Sequence, residues 1–162
     1  MATSERTHTA FRDIHAAPEA VYRAFLTQEA MSSWLPPVGA QGTFDAFEPH
    51  AGGRFKLTLT FDVAQGKSAE HTDVVHGCFV EFVPGRRIVM VVEFDSTDAA
   101  FAGRMTMAWE LQPTSTGTRV TTIAEHVPVG ISQVDHEIGM QSSLANLAAF
   151  AERTGQANQT RA

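Results

Sequence analysis

The stretch SQVDHEIGMQSSLANLAAFAERT (Ser132–Thr154) decides the fold, because it predicts one long amphipathic helix. Its apolar residues recur at spacings of three and four, as in a helix that buries one face. Ser132 is placed to cap the helix start, with Asp135 in a capping-box position, and Gly155 is placed for a left-handed cap at the end. The predicted buried stripe comprises Met140, Leu144, Leu147, Ala148 and Ala151, widened by Ile138, Ala145 and Phe150.

Most of the chain before this helix is predicted to form strands. The clearest strand, Arg54–Asp62, alternates apolar and polar residues, so one of its faces is expected to be buried and the other wetted. Two short helices, Pro18–Leu26 and Gln28–Trp34, follow the first strand, and Pro36-Pro37 ends the second of them. The predicted strands are Arg6–His15, Thr43–Glu48, Arg54–Asp62, Glu70–Val83, Arg87–Asp95, Gly103–Gln112 and Thr118–Val127.

This order of elements predicts an α+β fold. A curved, seven-stranded antiparallel sheet is expected to wrap around the C-terminal helix and to bury its apolar stripe. The 162 residues suit a single domain, 1–162, with an ordered core at 6–154 and a polar C-terminal tail. The loop Ser96–Ala102 is interpreted as a lid over one end of the molecule.

Composition argues against several classes of function. The net charge of −6 disfavours sequence-independent nucleic-acid binding, which requires a basic face. The N-terminus, MATSERTHTA, lacks an apolar signal segment, and no apolar run approaches the ~20 residues of a membrane span. The single cysteine, Cys78, excludes an intrachain disulfide. We therefore predict a cytoplasmic protein without a membrane span.

No metal or cofactor motif is found in the sequence. His136 and Glu137 open the long helix, but Met140 stands where the second histidine of an H-E-x-x-H motif would be. A metal site would require His76 and His126 to meet a carboxylate across strands, and we predict no metal and no cofactor. Acid–base chemistry remains an alternative, with His126 and Glu137 as weak candidates, and strand parity predicts that His126 points inward.

Six motifs, taken in order, resemble a known family. They are RDIHAAPEAVYRAFLT (Arg12–Thr27), SSWLPP (Ser32–Pro37), GGRFKLT (Gly52–Thr58), HTDVVHGCFVEFVP (His71–Pro84), FAGRMTMAWEL (Phe101–Leu111) and DHEIGMQSSLANLAAF (Asp135–Phe150). The chain resembles the SRPBCC superfamily, also called START-like or Bet v 1-like. Within it, the chain is similar to bacterial proteins named for the C-terminal domain of the activator of Hsp90 ATPase.

The resemblance implies a helix-grip fold and a cavity between sheet and helix that takes apolar or amphipathic small molecules. Some subfamilies of the superfamily are enzymes. The chaperone-activating member carries an additional N-terminal domain that binds Hsp90, for which this sequence leaves no room. A co-chaperone function is therefore not expected from the family name.

We predict that the chain binds a hydrophobic small molecule or lipid in that cavity. The alternatives are an enzyme that acts on an apolar substrate with one buried acid or base, and a protein-interaction or stress-related module. The protein-interaction alternative includes a homodimer formed through the outer face of the sheet. This face is predicted to carry Val75, Phe79, Val89 and Val91. Trp34 is interpreted either as lining the cavity mouth or as plugging one end of the core. The predicted cavity residues are Trp34, Phe55, Leu57, Leu59, Phe61, His76, Met90, Val92, Phe94, Met105, Met107, Trp109, His126, Met140 and Leu144.

Overall fold

A computed structural model describes residues 6–62 and 71–160, with side chains described up to Thr154. It confirms the predicted α+β fold and the order of its elements. The predicted loop 63–69 and the first residue of the predicted fourth strand lie outside the described residues. The elements are β1 (His8–Ile14), α1 (Pro18–Arg23), α2 (Gln28–Trp34), β2 (Ala40–Phe47), β3 (Arg54–Phe61), β4 (Thr72–Val83), β5 (Arg87–Phe94), a 3₁₀ turn (Ala99–Phe101), β6 (Arg104–Thr114), β7 (Gly117–Glu125) and α3 (Gln133–Thr160).

The seven strands form one antiparallel sheet in the order β1-β7-β6-β5-β4-β3-β2. The strands from β2 to β7 pair with their neighbours in sequence, whereas β1 returns to the far edge beside β7. The helices α1 and α2 carry the chain between the two edges, because β1 and β2 are not adjacent. The helix α3 packs against β1 and against both short helices, of which α1 also contacts β6 and β7 and α2 also contacts β2.

The helix α3 buries the predicted stripe but is longer than predicted. The Ser132 hydroxyl accepts a hydrogen bond from the Asp135 N–H at 3.1 Å, as expected for an N-cap. The helix continues through Gly155, so the predicted C-cap there is wrong; glycine permits a left-handed cap but does not impose one. Ile138 is 63% exposed and does not widen the buried stripe.

Trp34 plugs the core, which is the second of the two interpretations of this residue. It is fully buried, and its indole N–H donates to the Ala24 carbonyl at 2.8 Å. Its ring packs edge to face against Phe25 and Trp109, with centroids 4.8 and 5.3 Å away. This aromatic cluster joins α2 to the inner face of β6, away from any opening to solvent.

The predicted facing of β4 is wrong. Val75 and Phe79 are buried on the inner face, whereas His76 is exposed on the outer face. The register explains this placement, since Val75 lies between the inward-facing Leu57 of β3 and Phe94 of β5. The alternation of apolar and polar residues did not predict which face of β4 is buried, because Thr72–Val83 does not alternate cleanly. The strand also contains a register shift after Phe79. The outer face of β4 therefore carries Val74, Cys78 and Val80 in place of Val75 and Phe79.

Gly77 makes room for an aromatic ring on the inner face. A Cβ atom at Gly77 would lie 2.0 Å from the ring of Phe55, which is its register partner on β3. We expect Gly77→Ala to lower the free energy of unfolding by about 1–3 kcal/mol, because Phe55 would have to leave its packed position. Urea unfolding measures this change.

The matched control is Gly139→Ala in α3, where a Cβ atom would meet no heavy atom within 4 Å. This change is expected to raise stability by up to about 1 kcal/mol, since alanine is a better helix former than glycine. Equal effects of the two alanines would contradict the packing assigned to Gly77.

Candidate ligand-binding cleft

A cleft of about 630 Å³ lies between the inner sheet face and the first turns of α3. Its floor is formed by apolar side chains of the strands β3 to β6. Period-two alternation places these side chains on one face, so the floor is continuous across four strands. The floor residues are Phe55, Leu57, Leu59, Phe61, Val75, Met90, Val92, Phe94, Met105, Met107 and Trp109.

The side of the cleft formed by α3 carries smaller and more polar side chains than the side formed by the sheet. Gly139 lies at its centre, because the residues three and four positions before and after it also line the cleft. A bulkier residue at this position would project into the cleft. The helix residues along the cleft are Ser132, Asp135, His136, Ile138, Gly139, Met140, Ser142 and Ser143.

One wall of the cleft is the segment between α2 and β2, which carries Leu35, Pro37 and Val38. Three hydrogen bonds tie this segment to α3. The Ser143 hydroxyl donates to the Leu35 carbonyl at 2.6 Å, and the Asn146 amide donates to the Pro36 carbonyl at 3.0 Å. The Val38 N–H donates to the Ser142 hydroxyl at 2.9 Å. These bonds fix the distance between the wall and the helix.

A second wall of the cleft is formed by the predicted lid loop together with the connection between β7 and α3. Phe101, in the 3₁₀ turn, lines the cleft beside Gly130 and Ile131. The Gly130 N–H donates to the Ala100 carbonyl at 2.7 Å, so the loop is held against the connection. The Arg6 guanidinium donates to the Pro128 and Ile131 carbonyls and so holds the chain just before α3.

The charged side chains along the cleft are acidic. Asp73 is 1% exposed, on the inner face of β4, and Asp135 lies on the first turn of α3. Among the residues that the structure describes, no lysine or arginine lines the cleft.

A pair of histidines closes the β1 side of the cleft. The Nδ1 atoms of the buried His8 and of the cleft residue His136 are 2.8 Å apart, so one of them carries the shared proton and the other accepts it. The rings meet edge to face with centroids 5.0 Å apart. Burial lowers the pKa of His8 and the nearby Arg6 lowers it further, while Glu137 acts in the opposite direction.

Comparisons with known proteins agree with the architecture. The sequence profile described as "Activator of Hsp90 ATPase homolog 1-like protein" matches residues 15–152. The chain belongs to this family. No curated protein matches the sequence. Within the solved structures, the family fold recurs at both moderate and low sequence identity.

A protein from Chromobacterium violaceum shares 33% identity with a TM-score of 0.81, over 90% of this chain and 96% of that one. The AHSA1-like protein from Aeromonas hydrophila shares 16% identity with a TM-score of 0.69, over 93% and 94% of the two chains. A protein from Rhodobacter sphaeroides shares 18% identity with a TM-score of 0.74, over 91% and 93%. The last two similarities show the fold alone.

Most of the predicted cavity residues of this family member lie along the cleft, and four do not. Trp34 and Leu144 are fully buried in the core, and His76 lies on the outer face, 3.6 Å from the Asp95 carboxylate. His126 is exposed because β7 ends at Glu125 and His126 adopts a left-handed backbone with φ of 59°. The inward position predicted for His126 is taken by Val127.

The weak acid–base candidates lie outside the cleft. Glu137 does not line the cleft, and its carboxylate accepts a hydrogen bond from Gln133 at 3.2 Å. His126 is exposed. Within the described ranges, 6–62 and 71–160, no three His, Cys, Asp or Glu side chains are grouped to hold a metal ion, and no helix is long and apolar enough to cross a membrane.

Sequence reasoning missed three cleft features. Gly139 is a helix-disfavouring residue in the middle of a strong helical pattern, which was a usable signal. Asp73 is a carboxylate inside an apolar strand, which was a weaker signal in the sequence. The pairing of His8 with His136 joins residues 128 positions apart, and no local pattern predicts such a contact.

The histidine pair predicts a pH dependence of stability. The pKa of His8 is lowered in the folded state from its ordinary value of 6.5, so the unfolded chain takes up a proton at a higher pH than the folded chain does. This group should have no effect on stability well above pH 6.5, and stability should fall as the pH is lowered through that value. Urea unfolding at a series of pH values measures the slope.

In the variant His8→Gln the free energy of unfolding should change less with pH below pH 6.5, because the imidazole with the lowered pKa is removed. The variant His50→Gln controls for loss of an exposed imidazole in a turn. If the free energy of unfolding of His8→Gln depends on pH as steeply as that of the wild type, with unfolding still cooperative, the pH dependence does not come from this histidine pair.

Proposed function

We propose that the chain binds an apolar or amphipathic small molecule in the cleft between the sheet and α3. The observation that supports this proposal is the cleft itself, about 630 Å³ in volume with an apolar floor and a small, polar helix side. Clefts of about 300–1,000 Å³ with mainly apolar walls are typical of small-molecule sites in proteins. The family fold is of a type that accommodates such ligands, which agrees with this function.

The floor is suited to ligands of variable shape. Met90, Met105, Met107 and Met140 contribute flexible, polarisable side chains to the lining. Methionine adapts to irregular apolar surfaces at a small conformational cost, because its side chain is unbranched. Affinity would therefore come mainly from burial of apolar area, with the polar side chains of the helix setting the orientation of the ligand.

The acidic lining narrows the class of ligand. A carboxylate in the cleft would approach Asp135, and no lysine or arginine among the described residues lines the cleft to bind it. Removing an anion from water without a partner is costly. We therefore infer that neutral or cationic amphipathic molecules bind in preference to fatty-acid-like anions.

Filling the cleft from the helix side should abolish binding without unfolding the protein. In Gly139→Leu the new side chain extends into open space, and leucine is a better helix former than glycine. We expect the affinity for 2-acetylnaphthalene, measured by isothermal titration calorimetry, to fall by at least about tenfold. The melting temperature should stay the same or rise.

The matched control is Gln141→Leu, which introduces the same side chain two residues further on, at an exposed position outside the cleft lining. Its affinity should equal that of the wild type. Equal affinity of Gly139→Leu and wild type would place the bound molecule elsewhere and refute the proposal, as would the absence of any binding by the wild-type chain.

The charge preference is tested with a ligand pair of similar shape. Well above the ordinary histidine pKa of about 6.5, 2-naphthoate should bind about tenfold more weakly than 2-acetylnaphthalene, because only the first carries a negative charge. Asp135→Asn should narrow this difference, since it removes one carboxylate from the cleft. Equal affinity of the two compounds in the wild type would contradict the inferred preference.

A further inference from the structure

Two aliphatic side chains are exposed at the mouth of the cleft. Val38 and Ile138 both line the cleft, yet Val38 is 82% and Ile138 63% exposed to solvent. Floor residues such as Leu57 and Val92 are buried by comparison. The apolar surface of the cleft therefore continues outward beyond its covered floor and ends on Val38 and Ile138, which we call the rim pair.

The position of Val38 is fixed by hydrogen bonds around a tight turn. The Ala40 N–H donates to the Pro37 carbonyl at 3.1 Å, and Gly39 has a φ of 90°, the conformation that a type II turn requires at its third residue. The Asp62 N–H donates to the Gly39 carbonyl at 3.0 Å, which ties the turn to the end of β3. The turn therefore holds the Val38 side chain in solvent at a defined place.

A further hydrogen bond places Val38 beside Ile138. The Val38 N–H donates to the Ser142 hydroxyl at 2.9 Å. Ser142 follows Ile138 by four positions in α3, so these two helix side chains are neighbours on one face of the helix. The rim pair therefore joins side chains of two elements that border the same opening, the connection between α2 and β2 and the helix α3.

Single exposed apolar side chains are common on protein surfaces, so exposure alone does not indicate a site. Among the described residues, the exposed Phe11 is partly covered by the Arg119 guanidinium, 4.6 Å from its ring centroid, and the exposed Val80 lies on the outer face of β4. The rim pair differs from these residues because it is continuous with an apolar cleft. One bound molecule can therefore cover the rim pair and the floor together.

We propose that the rim pair is covered by the apolar chain of a bound amphiphile, whose uncharged or cationic polar head remains in water outside the cleft. This inference rests on the proposed binding function and adds the class and the orientation of the ligand. Covering two exposed aliphatic side chains in addition to the floor increases the apolar area removed from water, and with it the affinity. A compact molecule that stays on the floor lacks this contribution.

The polar groups near the opening favour this orientation. The Ser143 hydroxyl donates to the Leu35 carbonyl at 2.6 Å, and the Ser142 hydroxyl accepts the Val38 N–H, so both hydroxyls are engaged within the chain. The floor below them is formed by aliphatic, aromatic and methionine side chains. A large polar head on the floor would lose water and meet mainly apolar side chains, whereas a head outside the rim stays hydrated.

Nuclear Overhauser effects on the wild-type protein test the orientation directly. The probe is n-decyl maltoside below its critical micelle concentration, a single-chain amphiphile with a neutral head. With ¹³C-labelled Ile and Val methyl groups, the methyl groups of Val38 and Ile138 should show effects to the chain methylenes next to the sugar. The methyl groups of Val92 on the floor should show effects to the far end of the chain, and those of Val80 should show none.

Calorimetry on variants measures the contribution of the rim pair. Val38→Ser and Ile138→Ser should each weaken the binding of decyl maltoside about fivefold, because each removes part of the apolar area that the chain covers. The affinity for 2-acetylnaphthalene, which is compact enough to lie on the floor, should change by less than about twofold. The matched control is Val80→Ser, which removes an exposed valine from the outer sheet face and should bind both compounds as the wild type does. Thermal melts establish that the variants are folded.

Several outcomes would overturn the proposal. Effects from the sugar protons to floor methyl groups, with none to the rim pair, would show that the head enters the cleft. Unchanged affinity of both rim variants for decyl maltoside would show that the chain does not cover the pair, and equal weakening of both compounds would show that the pair only shapes the cleft. Binding of 2-acetylnaphthalene without binding of decyl maltoside would refute this inference and leave the proposed binding function intact, whereas failure of both compounds to bind would refute both.

Discussion

Burial of α3 from Leu144 onward against β1, α1 and α2 is the interaction on which the cleft depends. Leu144, Leu147 and Ala151 are fully buried there, and each leucine contributes about 1.5–3 kcal/mol relative to an exposed side chain. In the first two turns, Met140 alone is buried among the apolar side chains. The helix is therefore anchored at one edge of the sheet, and its first turns extend over the central strands without filling the space above them.

Hydrogen bonds supplement the apolar packing that holds α3 beside the cleft. Ser142, Ser143 and Asn146 bind the segment after α2, and Arg6 binds the carbonyls that precede the helix. A hydrogen bond of this kind contributes a net ~0.5–1.5 kcal/mol, less than one buried leucine.

The parts of the structure that could be predicted from sequence are those governed by local periodicity. The strand β3 and the stripe of α3 repeat at periods of two and about 3.6, so their buried faces follow from the pattern alone, and the floor of the cleft follows with them. On β4 both Val74 and Val75 are apolar, and only the register against β3 and β5 determines which one faces inward.

Other features depend on contacts between distant residues. His126 is exposed because β7 ends at Glu125, two residues earlier than predicted, and the left-handed backbone of His126 places Val127 in the interior instead. Trp34 is in the core because its indole finds an acceptor at Ala24, ten positions earlier, and a ring partner on β6. The pairing of His8 with His136 depends on docking of the finished helix on β1.

The glycines Gly77 and Gly139 differ in what occupies the space of their missing side chains. Gly77 supports packing, because its missing side chain is replaced by the ring of Phe55. Gly139 supports no packing of this kind, since a side chain there meets nothing within 4 Å, and it weakens the helix by about 1 kcal/mol relative to alanine. Against a typical stability of about 5–15 kcal/mol this is an appreciable loss, and it occurs at the cleft. Sites where a chain forgoes stability in this way are the expected locations of function.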